Sequence, residues 1–280
     1  EVAGEHYVKD RGYAFERQLD FNTSGILNHP LRDYANDESR ARIPLMIFSS
    51  TITRDGRKMM ICSQPVSFMM RDTPDSGQGG PGEPDAIDMR AFLHAQHPDE
   101  MRLLTALRIN ATFPYVLPNV WLPTDPVVDV MDAGIRDNFG QESMVRFLHE
   151  FRAWLHENTS GVVFLQIRDR KMGEWEGATT GDGLVGMLTK PMTVIQYNWM
   201  KMQDYYQDEM VGQAGRSFGI PFHRFNFTYL PSSRTSAAAL NFHLTAREKA
   251  DLRASLRLPV NDSLFCSFAD ITRSMLKPAH

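Results

Sequence analysis

Apolar positions along the chain fall into short runs separated by turn-forming clusters. Their two spacings, near two and near 3.6, predict strands alternating with helices. Ile43 to Thr53 is almost continuously apolar or β-branched, the pattern of a strand buried on both faces. Arg54-Asp55-Gly56-Arg57 follows, and Met59 to Phe68 makes a second strand-like run. Asp-Gly between two apolar runs signals a hairpin, with positive φ expected at both turn positions. Residues 72–85 hold three prolines and four glycines and read as a surface connector or lid. They lack the Gly-Lys-Ser/Thr ending of a phosphate-cradling loop.

Residues 89–107 read as helix, and Val127 to Met131 as a short strand that turns at Asp132-Ala133-Gly134. Met144, Phe147, Leu148, Phe151, Trp154 and Leu155 share one stripe at helical spacing. Gly161 to Ile167 is another strand of buried type, and beyond Gly183 the pattern is mostly helical and rich in methionine, expected as core filler. Thr245-Ala-Arg-Glu248 is a capping box that opens a last helix. Residues 1–42 are polar and poorly periodic and read as a peripheral lead-in. The expected fold is α/β, a layered sheet with flanking helices over residues 1–175, followed by a mainly helical extension over 176–280.

Composition narrows the classes. With 280 residues, 42% hydrophobic and 23% charged, the chain is an ordinary globular sequence with ample length for a core. A net charge of −4 leaves no basic footprint for nucleic acid and no polybasic membrane patch. Two cysteines, Cys62 and Cys266, make neither a disulfide framework nor a thiolate metal site. No apolar run reaches the roughly 18 residues that span a bilayer. The opening Glu1-Val-Ala-Gly is no signal peptide and reads as the inside of a longer protein.

The stretch most suggestive of chemistry is Asp132-Ala133-Gly134, a carboxylate just past a strand end with small residues beside it. By itself an Asp-x-Gly is more commonly a structural turn. Its ordered surroundings resemble the C-terminal half of the patatin-like phospholipase family over about residues 20–175. The matching pieces are the strand pair across Asp55-Gly56, the Ala106-Leu-Arg108-Ile-Asn110-Ala-Thr-Phe113-Pro114 segment, and the Asp132 turn with Asn138. Asn110 stands where the family usually has serine, and the turn reads Asp-Ala-Gly rather than Asp-Gly-Gly or Asp-Gly-Ala. The resemblance implies an acyl-lipid hydrolase with a Ser-Asp dyad, in which Asp132 is the base and no histidine, metal or organic cofactor takes part. The family's nucleophile elbow and oxyanion loop precede the strand pair, and residues 1–42 contain neither. The expected partners are a lipid or ester substrate and the N-terminal portion of the same protein, with self-association through an exposed sheet edge as a further expectation.

Other groups along the chain have residue types that carry chemistry. Gly215-Arg216-Ser217-Phe218-Gly219 matches the elbow pattern, with His243 and Asp251 or Asp262 as partners in an α/β-hydrolase reading. The flanking pattern is helix before and strand after, the reverse of an elbow. His94 and His97 with Asp99 and Glu100 are more simply a solvated helix end than a metal site. Asp129 reads as an edge group, and Arg108 and Arg136 as phosphate-neutralising or ion-paired cations. A non-catalytic scaffold that keeps the hydrolase framework is the remaining alternative.

Overall fold

The structure is a computed structural model. It describes residues 9–70, 83–113, 117–172, 184–233, 237–238 and 243–275, without the side chains of 184–197. The glycine- and proline-rich segment therefore lies mostly outside the described residues. Its contacts divide the chain into two units, Glu1–Gly140 and Gln141–His280. The boundary expected from the sequence, after residue 175, falls inside the second unit. Among the described residues no helix is long and apolar enough to cross a membrane.

The first unit is a mixed α/β layer. Its strands are β1 (Phe48–Ile52), β2 (Lys58–Ile61), β3 (Ala86–Asp88), β4 (Val120–Trp121) and β5 (Asp129–Met131). They lie in the order β3-β2-β1-β5-β4. The β1/β2 pair is antiparallel, with Ser50 opposite Met59 and Thr51 opposite Lys58. The expected hairpin through Asp55-Gly56 is present, but of the two turn positions only Gly56 has positive φ, at 75°. The turn closes with Gly56 N–H on the Ile52 carbonyl (2.9 Å), a four-residue connection in which the single left-handed position is taken by glycine.

Strand β5 runs antiparallel to β1 (Thr51 opposite Met131), and only β2/β3 is a parallel pair. Asp132 thus follows the end of an antiparallel strand, so the carboxyl-end rule for open parallel sheets does not by itself locate a site there. One face of the sheet is apolar: Ile52, Met59, Ile61 and Val130 pack with Ala106 and Ile109 in one cluster.

Residues 1–42 are not a loose lead-in. They form α1 (Arg11–Asn22) and α2 (Leu31–Ser39). Helix α1 is polar because it is held by charge rather than by an apolar stripe. Arg108, on α4 (Leu103–Asn110), reaches Asp10 at 3.2 Å and Glu16 at 3.5 Å, and Arg102 reaches Glu16 at 2.9 Å. Burial pushes the Glu16 carboxyl upward and outweighs the attraction of the two guanidiniums. The helix expected over 89–107 is broken: α3 (Met89–Phe92) ends early, His97 adopts a left-handed φ of 49°, and Pro98 starts a new turn.

The second unit contains α5 (Gln141–Glu150), α6 (Arg152–Asn158), β6 (Val162–Arg168), α7 (Leu184–Ser217), β7 (Phe222–Thr228), α8 (Ala246–Leu256) and α9 (Pro259–Met275). Strands β6 and β7 pair in parallel along their whole length. Their core contains Val145, Leu148, Val162, Phe164, Val211 and Phe218. The single stripe expected from Met144 to Leu155 is divided at Phe151, and Met144 and Trp154 are exposed. Strand β6 is not buried on both faces, because Leu165 and Ile167 point outward. Of the C-terminal methionines, Met210 packs on this core and Met202 is exposed, while the side chains of Met187 and Met192 lie outside the described residues. The capping box is formed, with Thr245 Oγ1 accepting from Glu248 N–H at 3.3 Å and Glu248 Oε2 accepting from Thr245 N–H at 2.7 Å.

Candidate functional site

Asp132 leaves β5 and caps a short 3-10 turn, Ala133–Ile135. Its Oδ1 accepts the Gly134 N–H at 2.6 Å. This is the Asx arrangement that lets an aspartate start a turn. Gly134 is required by space rather than by φ. A Cβ there would lie 2.7 Å from Asp132 Oδ1 and 2.7 Å from Asn138 Oδ1. The small residue noted in the sequence therefore leaves the space that the Asp132 and Asn138 side chains occupy on either side of it.

The backbone on either side of Asp132 is tied to separate elements. Its N–H donates to the Thr112 carbonyl (3.1 Å), just past α4. Its carbonyl accepts from Thr51 Oγ1 on β1 (2.9 Å). Arg136 N–H and Asp137 N–H both return to the Ala133 carbonyl, at 2.9 and 2.8 Å. Asp137 is buried and faces the ammonium of Lys58 at 3.7 Å, with side-chain exposures of 1% and 0%. Arg136 donates to the Gly56 carbonyl at 3.4 Å. The hairpin thus holds the downstream end of the aspartate turn.

Burial pushes the Asp132 carboxyl above the usual aspartate range, and the Gly134 N–H opposes this as the smaller effect. Among the described residues Gly134 is the sole hydrogen-bond donor to this carboxylate, so Oδ2 is uncommitted. The arrangement gives a raised carboxylate with one oxygen fixed and the other available to take a proton.

The raised value has a consequence for stability. A carboxyl whose folded-state pKa is raised binds protons more tightly when folded. Its stabilising contribution is then present below the unfolded value near 4 and is lost as pH rises through the folded value. Asp132→Asn removes the ionised, half-buried carboxylate yet keeps an oxygen for Gly134. The variant is expected to melt above the wild type at pH 7, with the difference closing as the pH approaches about 4. Thermal melts across that range check this, and a variant that melts lower at pH 7 would contradict it.

Ser217 ends α7, and its hydroxyl donates back to the Gln213 and Ala214 carbonyls (2.9 and 3.3 Å). The strand β7 follows it, so helix precedes and strand follows, opposite to an elbow. Asp251 is buried under Tyr229 and Ser232, taking the Tyr229 hydroxyl at 2.6 Å, while His243 and Asp262 are exposed. Asp129 takes Thr53 Oγ1 at 2.5 Å and Asn119 at 2.7 Å, and the Thr53 hydrogen bond lowers its pKa. Arg108 is a buried structural cation rather than a surface one. Asp99 pairs with Arg90 and Glu100 with Arg32, while His94 faces its own helix at the Ala91 carbonyl. Among the described residues no group of three His, Cys, Asp or Glu side chains is arranged to hold a metal ion. Burial pushes the Cys62 thiol up to about 11, which makes it a poor nucleophile.

Sequence reasoning missed Lys58, Thr51 and Asp137. A signal existed for the first, since Lys58 stands at the head of the strand-like run, directly before Met59-Met60-Ile61. Comparison of the chain with protein-family models, with curated proteins and with solved structures finds no match in any of the three.

Proposed function

We propose that this chain carries the aspartate of a Ser-Asp dyad in a patatin-like acyl-lipid hydrolase, with Asp132 as the proton-accepting base. The observation that supports it most is the Asp132 carboxylate itself. It sits on a tethered turn, is raised by burial, has Oδ1 held by Gly134, and has Oδ2 uncommitted. A serine hydroxyl is a weak nucleophile until a positioned base takes its proton. A carboxylate raised toward neutral pH is a better base for that task than an ordinary one. The order of hairpin, α4 segment and aspartate turn along the chain is what makes the reading patatin-like in particular.

In the reaction, a serine Oγ supplied from outside the described residues attacks the ester carbonyl carbon while its proton passes to Asp132 Oδ2. Backbone amides from the same source stabilise the tetrahedral oxyanion. Collapse expels the alcohol, which takes the proton from Asp132. Water then attacks the acyl-serine, its proton passing to Asp132 and on to the leaving serine. The free carboxylic acid and the starting enzyme result. Ser217 has no part in this, because its hydroxyl serves its own helix end.

A fluorophosphonate ester, which forms a covalent bond with activated serines, tests the reading on the protein expressed from its complete gene. One serine other than Ser217 is expected to be modified, with labelling unchanged in Ser217→Ala. Absence of any modified serine, or labelling that requires Ser217, would overturn it.

A further inference from the structure

We propose that Lys58 and Asp137 are positioning residues for Asp132, a buried ion pair that fixes the turn on which the carboxylate sits; this rests on reading Asp132 as the base. Lys58 lies opposite Thr51 in the β1/β2 register. The same two strands therefore hold both ends of the turn, Thr51 through the Asp132 carbonyl and Lys58 through the Asp137 carboxylate. Asp137 N–H in turn bonds the Ala133 carbonyl at 2.8 Å, closing the segment between them into one hydrogen-bonded unit. Within that unit the Gly134 N–H is held on Asp132 Oδ1, and Oδ2 has no hydrogen-bond donor among the described residues.

A lysine and an aspartate with side-chain exposures of 0% and 1% are a costly choice if the fold alone is at stake. Well-packed apolar residues of similar volume commonly serve a core as well or better. Fixing one geometry is the use to which such a pair is best suited, and the geometry fixed here is the aspartate turn.

Losing the pair has two opposed effects on Asp132. A loosened turn weakens the Gly134 hydrogen bond, which raises the carboxyl further, and admits water, which lowers it. Water entry acts on burial, the leading cause of the raised carboxyl, and the expected net movement is downward.

The test is a carbon-13 NMR titration of the Asp132 side-chain carboxyl in the full chain, identified by its loss in Asp132→Asn. In the Lys58→Met/Asp137→Leu double variant, which removes both charges together, the midpoint is expected to fall toward the ordinary aspartate value. If that variant does not fold, Lys58→Met/Asp137→Asn, which also removes both charges and keeps the Asp137 side-chain shape, is expected to show the same fall. A midpoint unchanged in a folded variant overturns the proposal. The readout is the carboxyl and needs no turnover, so it stands apart from the hydrolase reading. Ester hydrolysis unaffected by Asp132→Asn sinks that reading, and a fixed midpoint sinks the positioning role.

Discussion

Asp132→Asn is expected to lower kcat/KM for ester hydrolysis by about 10²–10⁴-fold, the usual contribution of a positioned acid–base group. Asparagine matches aspartate in shape and keeps an oxygen for the Gly134 N–H, so the turn is preserved. It cannot accept the serine proton. The loss should fall on kcat with KM nearly unchanged, because a proton transfer made only in the transition state is what has been removed. The same substitution is expected to raise the melting temperature at neutral pH. A variant that loses turnover while gaining stability separates a chemical role from a structural one. Hydrolysis of a p-nitrophenyl ester by the protein from its complete gene, wild type beside Asp132→Asn, makes the measurement. Retention of more than about a tenth of wild-type kcat would remove Asp132 from the chemistry.

Lys58→Met is the substitution expected to cost the most stability. It leaves the Asp137 carboxylate buried without its ammonium, and breaking a buried pair in this way typically costs about 3–5 kcal/mol. Methionine has a similar length and fills the space, so little of that cost is cavity. The Lys58→Met/Asp137→Leu double variant removes both charges and is expected to recover most of the loss, since no buried charge then loses its counter-ion. Denaturant unfolding of the two variants and the wild type gives the comparison. A single variant within about 1 kcal/mol of the wild type would show that the pair is not the tether it looks to be.

The elements that were legible in the sequence were those whose signals were local. The hairpin followed from Asp55-Gly56 between two apolar runs, and the capping box from Thr245 and Glu248, since both depend on residues a few positions apart. Helix α1 was not legible. It is held by Glu16, whose partners Arg102 and Arg108 lie far along the chain, so its polar sequence carries no apolar stripe to read. The break at Pro98 was overridden by a helical apolar pattern that continued on either side of it. Strand β6 looked buried because its run is apolar, yet Leu165 and Ile167 face outward. At the candidate site, Asp132, Gly134 and Asn138 were legible as one turn. The tethers from Thr51, Thr112 and Lys58 were not, because each crosses between elements remote in sequence.

The most direct test of Asp132 as the base is the pH dependence of serine modification by a fluorophosphonate ester, in the wild type and in Asp132→Asn. The expected wild-type rate rises with pH through a single acid limb, with a midpoint above the ordinary aspartate value near 4, and that limb is lost in the variant. A limb near 6.5 that survives in Asp132→Asn would assign the proton to a histidine and contradict the account.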